Sequence, residues 1–341
     1  MFVPKSYGGL EVDVPTSMEI IEALAAADGS TGWVVMIGCE TPMFLALLPR
    51  PQFDRLYANG PDLIIAGAFA PKGQAEIVDG GYRVSGRWGF ASGCQHSQWL
   101  FGNCVVMENG KPRAGAMPGT PEARAMMFAP SKTQIIDTWS VNGLRGTGSH
   151  DIAVENVLVP AEESFDIFLG RSCVAGPSMA EPVLYAALHI GTVAIGIAQR
   201  AINEIVALAN TNKRRLYSSS SLADSALFQY RLGHADASLR AARGLLRNQT
   251  ESVWNSAIAG NPISPDGRLP VMGAITWAVQ TCASLVDVCY KAGGGTSPYD
   301  TSPLQRCMRD IQTLTQHAAV AESWLTNSGS AILGRASGFS V

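Results

Sequence analysis

Ser302-Pro-Leu-Gln-Arg-Cys-Met-Arg-Asp-Ile-Gln-Thr-Leu-Thr-Gln-His317 is the stretch that decides how this 341-residue chain is read. Apolar residues recur at helical steps from Leu304 to Leu325, which predicts one amphipathic helix. Arg309 and Asp310 are neighbours in sequence and cannot face each other on a helix, so each must reach another element. His317 comes seven residues after Asp310, about two turns on, which puts it on about the same helical face.

The same periodicity extends upstream. Leu184, Leu188, Gly191, Ile195, Ala198, Ile202, Ile205 and Ala209 recur at steps of three and four. Phe228, Leu232, Ala235, Leu239, Ala242 and Leu246 do the same, and Met272 to Tyr290 forms a further segment. Four long amphipathic helices with small residues in the seams predict an antiparallel four-helix bundle. Residues 62–160 read differently. Gln74–Val78 and Tyr82–Ser85 flank Asp79-Gly80-Gly81, a hairpin signal. Further strands are predicted at Trp99–Val106, Ala123–Phe128, Thr133–Asp137 and Asp151–Val157, spaced as in a small barrel or sandwich. Residues 16–58 read as helical. Thr16 or Ser17 caps a first helix, Asp28-Gly29-Ser30 breaks it, and a second runs from Thr31 to Leu48.

Composition bounds the function. Apolar residues make up 47% of the chain and charged residues 16%, a balance that suits burial of surface against further copies of the chain. A net charge of -3 argues against nucleic acid or an anionic membrane as partner. Seven cysteines without a CxxC pair read as reduced thiols in the cytoplasm. No signal-peptide pattern is read at the start, and no run of about 18 apolar residues predicts a membrane span. Five histidines lack metal-ligand spacing, so no metal site is expected. His189 and His234 are taken as structural.

Three further segments are candidates for chemistry. Residues 86–99, GRWGFASGCQHSQW, put two Trp, one Phe, a Ser and a His between a hairpin and a strand. Such a surface suits a flat ring that needs stacking area and one or two hydrogen bonds; a barrel core with a tight turn is the other reading. Cys94 and His96 would share a face on a strand, as a nucleophile pair does, although buried cysteines are usually inert. Gly143-Leu-Arg-Gly-Thr-Gly-Ser149 looks like a phosphate loop but precedes a β segment rather than a helix, so it reads as a turn lining a cleft. Gly293-Gly-Gly-Thr296 either approaches an anion through its backbone or simply caps a helix.

Five stretches carry a resemblance over nearly the whole chain: PKSYGG (4–9), ADGSTGW (27–33), residues 86–99, GLRGTGSHDIAVENVLVP (143–160), and SPLQRCMRD with QH (302–317). Together they resemble the acyl-CoA dehydrogenase superfamily, and within it the flavin-dependent monooxygenases of two-component systems. The resemblance implies an α+β fold. Residues 1–60 would be N-terminal helices, shortened relative to the family, residues 61–160 a central β-barrel and residues 161–341 a C-terminal four-helix bundle. It implies a monooxygenase in which reduced FMN or FADH2, supplied by a separate NAD(P)H-dependent reductase, reacts with O2. A C4a-hydroperoxyflavin would then hydroxylate an aromatic, polycyclic or amine-bearing small molecule. A homotetramer is the implied assembly.

By position, Ser92 resembles the residue that hydrogen-bonds flavin N5, and Phe90 with Ala91 resembles the surface against the ring. His317 resembles the histidine at the C4a edge. Gly294, Gly295 and Thr296 resemble the turn at the phosphate end, and Arg309 is counted with the flavin contacts. Trp88, His96, Arg145 and Glu40 are the residues assigned to substrate.

Three departures stand beside the resemblance. The dehydrogenases' R-x-x-F-G turn is replaced by Asn212-Lys-Arg-Arg-Leu-Tyr217, which favours FMN, with Arg214 or Arg215 as substitutes. Glu40 stands near a position where relatives carry His; a solvated helix residue is its plain reading. The family's first helices precede PKSYGG. The dehydrogenases' catalytic Glu is absent from 316–319. An acyl-CoA dehydrogenase with its base moved to Glu204 or Glu251 therefore stands as the second reading, and a non-catalytic flavin-binding scaffold as the third. Loops 107–130, 161–180 and 255–270 leave the substrate unnamed.

Overall fold

The computed structural model describes residues 1–117, 119–214, 216, 218 and 220–335. The chain packs as two compact units. The first comprises Met1–Asp13, Val34–Ser140 and Thr147–Val183; the second comprises Val14–Trp33, Val141–Gly146 and the chain from Leu184 onward. The division differs from three consecutive regions, because the first helix joins the C-terminal helices and residues 161–183 join the strands.

The first unit is built on one sheet of eight strands: β1 (Ile65–Val78), β2 (Gly81–Ala91), β3 (Trp99–Glu108), β4 (Lys111–Pro112), β5 (Ala123–Phe128), β6 (Gln134–Ile136), β7 (His150–Pro160) and β8 (Ser164–Phe165). Their order is β6-β7-β2-β1-β3-β5-β8, with β4 on β3. The expected hairpin forms with Val78 opposite Gly81. Gly80 takes φ +80, the left-handed conformation that the turn needs and that glycine adopts without strain. β1 is far longer than expected. Its first half, Ile-Ala-Gly-Ala-Phe-Ala, lacks alternation and is a strand because it pairs in parallel with β3, from Ile65 opposite Trp99 onward. Three strands lie between β5 and β7 in the order, yet the two touch, so the sheet curls as a barrel does rather than splitting into a sandwich.

Trp88 fills the middle of this curl. It is fully buried, and its Nε1 donates to the Asn103 carbonyl at 2.7 Å, which settles its one polar atom. A Cβ on Gly73 or Gly102 would lie 2.2 or 2.4 Å from its ring, so the flanking strands are glycine there to admit the indole. The assignment of Trp88 to substrate is therefore corrected. It is a core residue, and Ala91 beside it is fully buried as well.

The second unit is helical. It holds α1 (Val14–Ala27), α4 (Pro182–Ala209), α5 (Ala226–Ile258), α6 (Pro265–Gly293), α7 (Pro303–Leu314) and α8 (Ser323–Ile332). α2 (Gly29–Leu45) starts in this unit and continues in the first, where α3 (Arg50–Leu56) also lies. Ser225 caps α5 by accepting the Phe228 N–H, and Ser264 caps α6 by accepting the Gly267 N–H at 3.1 Å, with Pro265 at the first helical position. α1 begins at Val14, so neither Thr16 nor Ser17 caps it; Ser17 instead turns inward to His189 Nε2 at 2.9 Å, both residues fully buried. Asp28 is the cap of α2, accepting the Thr31 N–H at 2.9 Å. α4 and the α6 segment Pro265–Thr296 carry windows long and apolar enough to cross a membrane, against the expectation of none. Those windows are 78% and 61% buried inside the protein, as core helices are.

The last expected helix is broken. α7 ends at Leu314, a short 3-10 turn covers Ala318–Val320, and α8 begins at Ser323. Nothing in Gln316-His-Ala-Ala forbids a helix by propensity. The break is made by side chains: His317 turns extended (φ -74, ψ 137) and its Nδ1 accepts the Ala319 N–H, while Trp324 Nε1 donates to the Ala318 carbonyl at 2.9 Å. His317 therefore does not share a helical face with Asp310.

Candidate functional site

The end of β2 carries the first cluster. Phe90 sits at φ +67, a conformation that costs a bulky residue roughly 1–3 kcal/mol and persists only where the surroundings fix it. Its ring is 72% exposed and meets Trp139 edge-on at 6.1 Å. A strained backbone that holds an aromatic face outward is poor use of a hydrophobic residue unless something flat covers it. Two residues on, Ser92 turns inward. Its Oγ lies 2.7 Å from Ser149 Oγ, and Ser149 Oγ lies 2.7 Å from Thr147 Oγ1. All three residues are buried. The two segments are tied by backbone as well: Ala91 pairs with His150, and the Gly93 N–H donates to the Thr147 carbonyl at 3.0 Å. Trp139 went unnoticed in the sequence, and Thr147 and Ser149 were read only as part of a cleft-lining turn, since only the fold brings residues 147–149 to residue 92.

Cys94 and His96 do not form a pair. They lie on a 3-10 turn, not a strand; Cys94 is buried with Sγ toward the Gly148 carbonyl at 3.6 Å, and His96 is exposed. Burial pushes the Cys94 thiol above its usual range, the opposite of an activated nucleophile. Glu40 is 4% exposed on α2, so its plain reading as a solvated residue fails.

A second cluster lies in the helical unit, where Arg309 and Asp310 find their partners in residues 142–144. Asp310 Oδ1 accepts the Leu144 N–H at 2.6 Å, and Arg309 Nη1 donates to the Asn142 carbonyl at 3.1 Å. Between them, Gly143 lies so close to α7 that a Cβ would fall 2.0 Å from the Arg309 carbonyl oxygen. Leu144 is held at φ +50, the second strained bulky residue of the chain's candidate segments. Burial raises the Asp310 carboxyl pKa, and the Leu144 N–H opposes that rise without cancelling it. A raised folded-state pKa favours folding below the unfolded carboxylate range, and that contribution is lost as pH rises through the folded value. Arg145 follows on an exposed turn, and its guanidinium has no ion-pair partner among the described residues.

His317 packs against Trp33, ring centroids 5.5 Å apart. Dense surroundings push its pKa down to about 4, although more than a third of the residue's surface is open to water. One edge of the side chain meets water while the protein packed around the ring disfavours its charged form, so the ring is neutral near pH 7. With Nδ1 accepting from Ala319 at 3.2 Å, the ring proton belongs on Nε2, and His317 presents a donor.

The glycine turn follows α6. Gly294 takes φ +58, and neither Gly294 nor Gly295 has any atom within 4 Å of where a Cβ would stand, so this backbone is open to close approach. Thr296 Oγ1 accepts from Lys213 Nζ, which brings a cation to the turn that the sequence did not single out. Arg214 pairs with Ser221 in an isolated bridge, and Arg215 lies outside the described residues. Of the two relocated bases considered, Glu204 is bound to Arg200 at 2.7 Å and Glu251 is exposed on α5. No group of three His, Cys, Asp or Glu side chains is placed to hold a metal among the described residues.

Comparison with known proteins shows the family of the chain. The family model for the acyl-CoA dehydrogenase C-terminal domain matches residues 188–322. An indole-3-acetate monooxygenase of Pseudomonas putida is 34% identical over 98% of this chain and 83% of its own length. A flavin-dependent monooxygenase oxygenase subunit, HsaA of Rhodococcus jostii, is 28% identical over 93% of this chain and 83% of its own. Among solved structures, XiaF from a Streptomyces species, in complex with FADH2 and glycerol, superposes with a TM-score of 0.92 at 26% identity, covering 99% of this chain and 86% of that one.

Proposed function

Since the chain belongs to the flavin-dependent two-component monooxygenases of the acyl-CoA dehydrogenase-like fold, we propose that it hydroxylates an aromatic acid of the indole type, using reduced FMN. The observation that carries the reading is the end of β2, where the exposed, strained Phe90 presents a ring face beside the buried hydroxyl of Ser92. Those groups fit a flavin, which needs one flat apolar contact and one polar partner at N5. Bound reduced flavin supplies the two electrons with which O2 yields one oxygen atom to the substrate and one to water.

The protein's own part is to hold protons and exclude water. Ser92 Oγ accepts the hydrogen bond of N5–H and keeps that proton in place. His317, neutral, donates from Nε2 to oxygen that becomes negative as the reaction proceeds. Asp310 and Arg309 act at one remove, by fixing residues 142–144. Gly294, Gly295 and Thr296, with Lys213 beside them, offer backbone and charge to a phosphate. The sequence reason for FMN is the missing R-x-x-F-G turn, and Lys213 brings a positive charge to the glycine turn. Arg145 supplies an exposed positive charge for a substrate carboxylate. The indole class is supported by the name of a relative 34% identical over almost the entire chain.

The test is a coupled assay with a flavin reductase, NADH, O2 and a panel of indole-3-acetate, indole and simple phenols, run with FMN and with FAD. Hydroxylated product matching NADH consumed, greatest with the indole acid and FMN, is expected. Hydrogen peroxide as the sole product from every aromatic compound would reject the substrate class. Ser92→Ala should retain flavin but divert roughly tenfold more oxygen to hydrogen peroxide, a loss of about 1.4 kcal/mol in control of the N5 proton; an unchanged peroxide yield would remove Ser92 from that role.

A further inference from the structure

We propose that Ser149 and Thr147 form, with Ser92, a reversible hydroxyl relay that lets one serine serve flavin N5 in both oxidation states. The proposal rests on the reading of Ser92 as the N5 partner. Ser149 Oγ lies 2.7 Å from both Ser92 Oγ and Thr147 Oγ1, and the three residues are 4%, 7% and 2% exposed respectively. Each hydroxyl has one proton to give and can accept from two sides. Ser149 can therefore donate to only one of its two neighbours at a time.

The arrangement has two directions. When Ser149 donates to Thr147, Ser92 must donate to Ser149, and Ser92 then turns lone pairs toward its ligand. That state accepts from N5–H of reduced flavin. When Thr147 donates to Ser149 and Ser149 to Ser92, Ser149 no longer takes the proton of Ser92, which is then available to a ligand. That state donates to the bare N5 of oxidised flavin. Changing between them rotates hydroxyl protons along the chain, breaks no covalent bond and moves no net charge. A charged partner could not do this, since a carboxylate only accepts and an ammonium only donates.

The backbone holds the relay at both ends. The Gly93 N–H donates to the Thr147 carbonyl at 3.0 Å, the Cys94 thiol reaches the Gly148 carbonyl, and Gly148 turns at φ +52 between Thr147 and Ser149. Ser149 and Thr147 are thus positioning residues that act through Ser92. Burial makes their directionality count, because water does not compete for the bonds.

A chemical substitution in the flavin isolates the effect. In 5-deaza-FMN the N5 atom is replaced by carbon, which neither accepts nor donates. The affinities of FMN and 5-deaza-FMN are compared, oxidised and reduced, for wild type, Ser92→Ala, Ser149→Ala, Ser149→Thr and Thr147→Val. Wild type should prefer FMN about five- to tenfold in both oxidation states, the effect of one hydrogen bond. Ser92→Ala should abolish the preference, and Ser149→Ala and Thr147→Val should cut it to about twofold or less in both states. Ser149→Thr keeps the hydroxyl and should keep the preference; it also reads the relay should Ser149→Ala fail to fold. Equal weakening of FMN and 5-deaza-FMN by Ser149→Ala, or loss of preference in one oxidation state alone, overturns the relay. A preference untouched by Ser92→Ala overturns the N5 assignment itself, a result distinct from failure of the relay with Ser92 upheld.

Discussion

Replacement of His317 by alanine is expected to leave reduced flavin bound and to lower hydroxylated product by about a hundred- to a thousandfold, the usual worth of a positioned proton donor. The imidazole is neutral near pH 7, and its Nδ1 is engaged by the Ala319 N–H, so only Nε2–H is left to act. A neutral donor has a pH signature. With its pKa held near 4, His317 keeps one protonation state from pH 8 to about pH 5, so product formation should show no inflection at the ordinary imidazole value of about 6.5. The stability linkage runs the same way. A base whose folded pKa is depressed favours the folded state above its unfolded value, and that contribution is lost as pH falls from about 6.5 toward about 4. Coupled turnover and flavin binding, measured across this range for wild type and His317→Ala, check both points. Undiminished product in the variant would take His317 out of the chemistry. An inflection near 6.5 that vanishes in the variant would show that the ring titrates and acts as a base.

The largest effect on stability is expected at Asp310. Alanine there removes the acceptor of a buried N–H that helps to hold Leu144 at φ +50. The cost should be about 2–4 kcal/mol, the range for breaking a buried charge-assisted bond and stranding its partner. Asparagine keeps an oxygen for the Leu144 N–H and sheds a buried charge, so Asp310→Asn should cost under about 1 kcal/mol and remove the loss of stability that the carboxyl imposes as pH rises. Leu144→Gly relieves the positive φ but empties a buried site, so it should destabilise, by about 1 kcal/mol less in the Asp310→Ala background than in wild type. Denaturant unfolding of the four proteins forms a cycle. Additive effects of the two substitutions would mean that Asp310 does not hold Leu144 in its strained state.

The architecture was legible because period and punctuation were strong. The hairpin at Asp79-Gly80, the strand Ala123–Phe128 and the helices around Leu188, Leu239 and Ile275 are all set by local pattern. Where the reading failed, tertiary contacts overrode the local signal. Ile65–Gly73 has no alternation and becomes a strand only against β3. The helix drawn from Leu304 to Leu325 stops because His317 and Trp324 bond backbone atoms that a continuous helix would have used. Trp88 looked like a ring-stacking residue because aromatic content alone cannot tell a face turned outward from one wrapped by Gly73 and Gly102. The converse holds for Phe90, whose positive φ no residue type announces. Arg309 and Asp310 were correctly expected to reach other elements, but their target, the backbone of 142–144, is set by topology.

That clasp has a consequence for how the loop can be altered. Arg309 and Asp310 grip a carbonyl and an amide N–H, which every residue but proline offers, while Gly143 is constrained by its lack of a side chain and Leu144 by its burial. The loop is thus read by its main chain while the side chains at Asn142 and Arg145 are left open to change. Randomising those two positions should yield libraries in which most members fold.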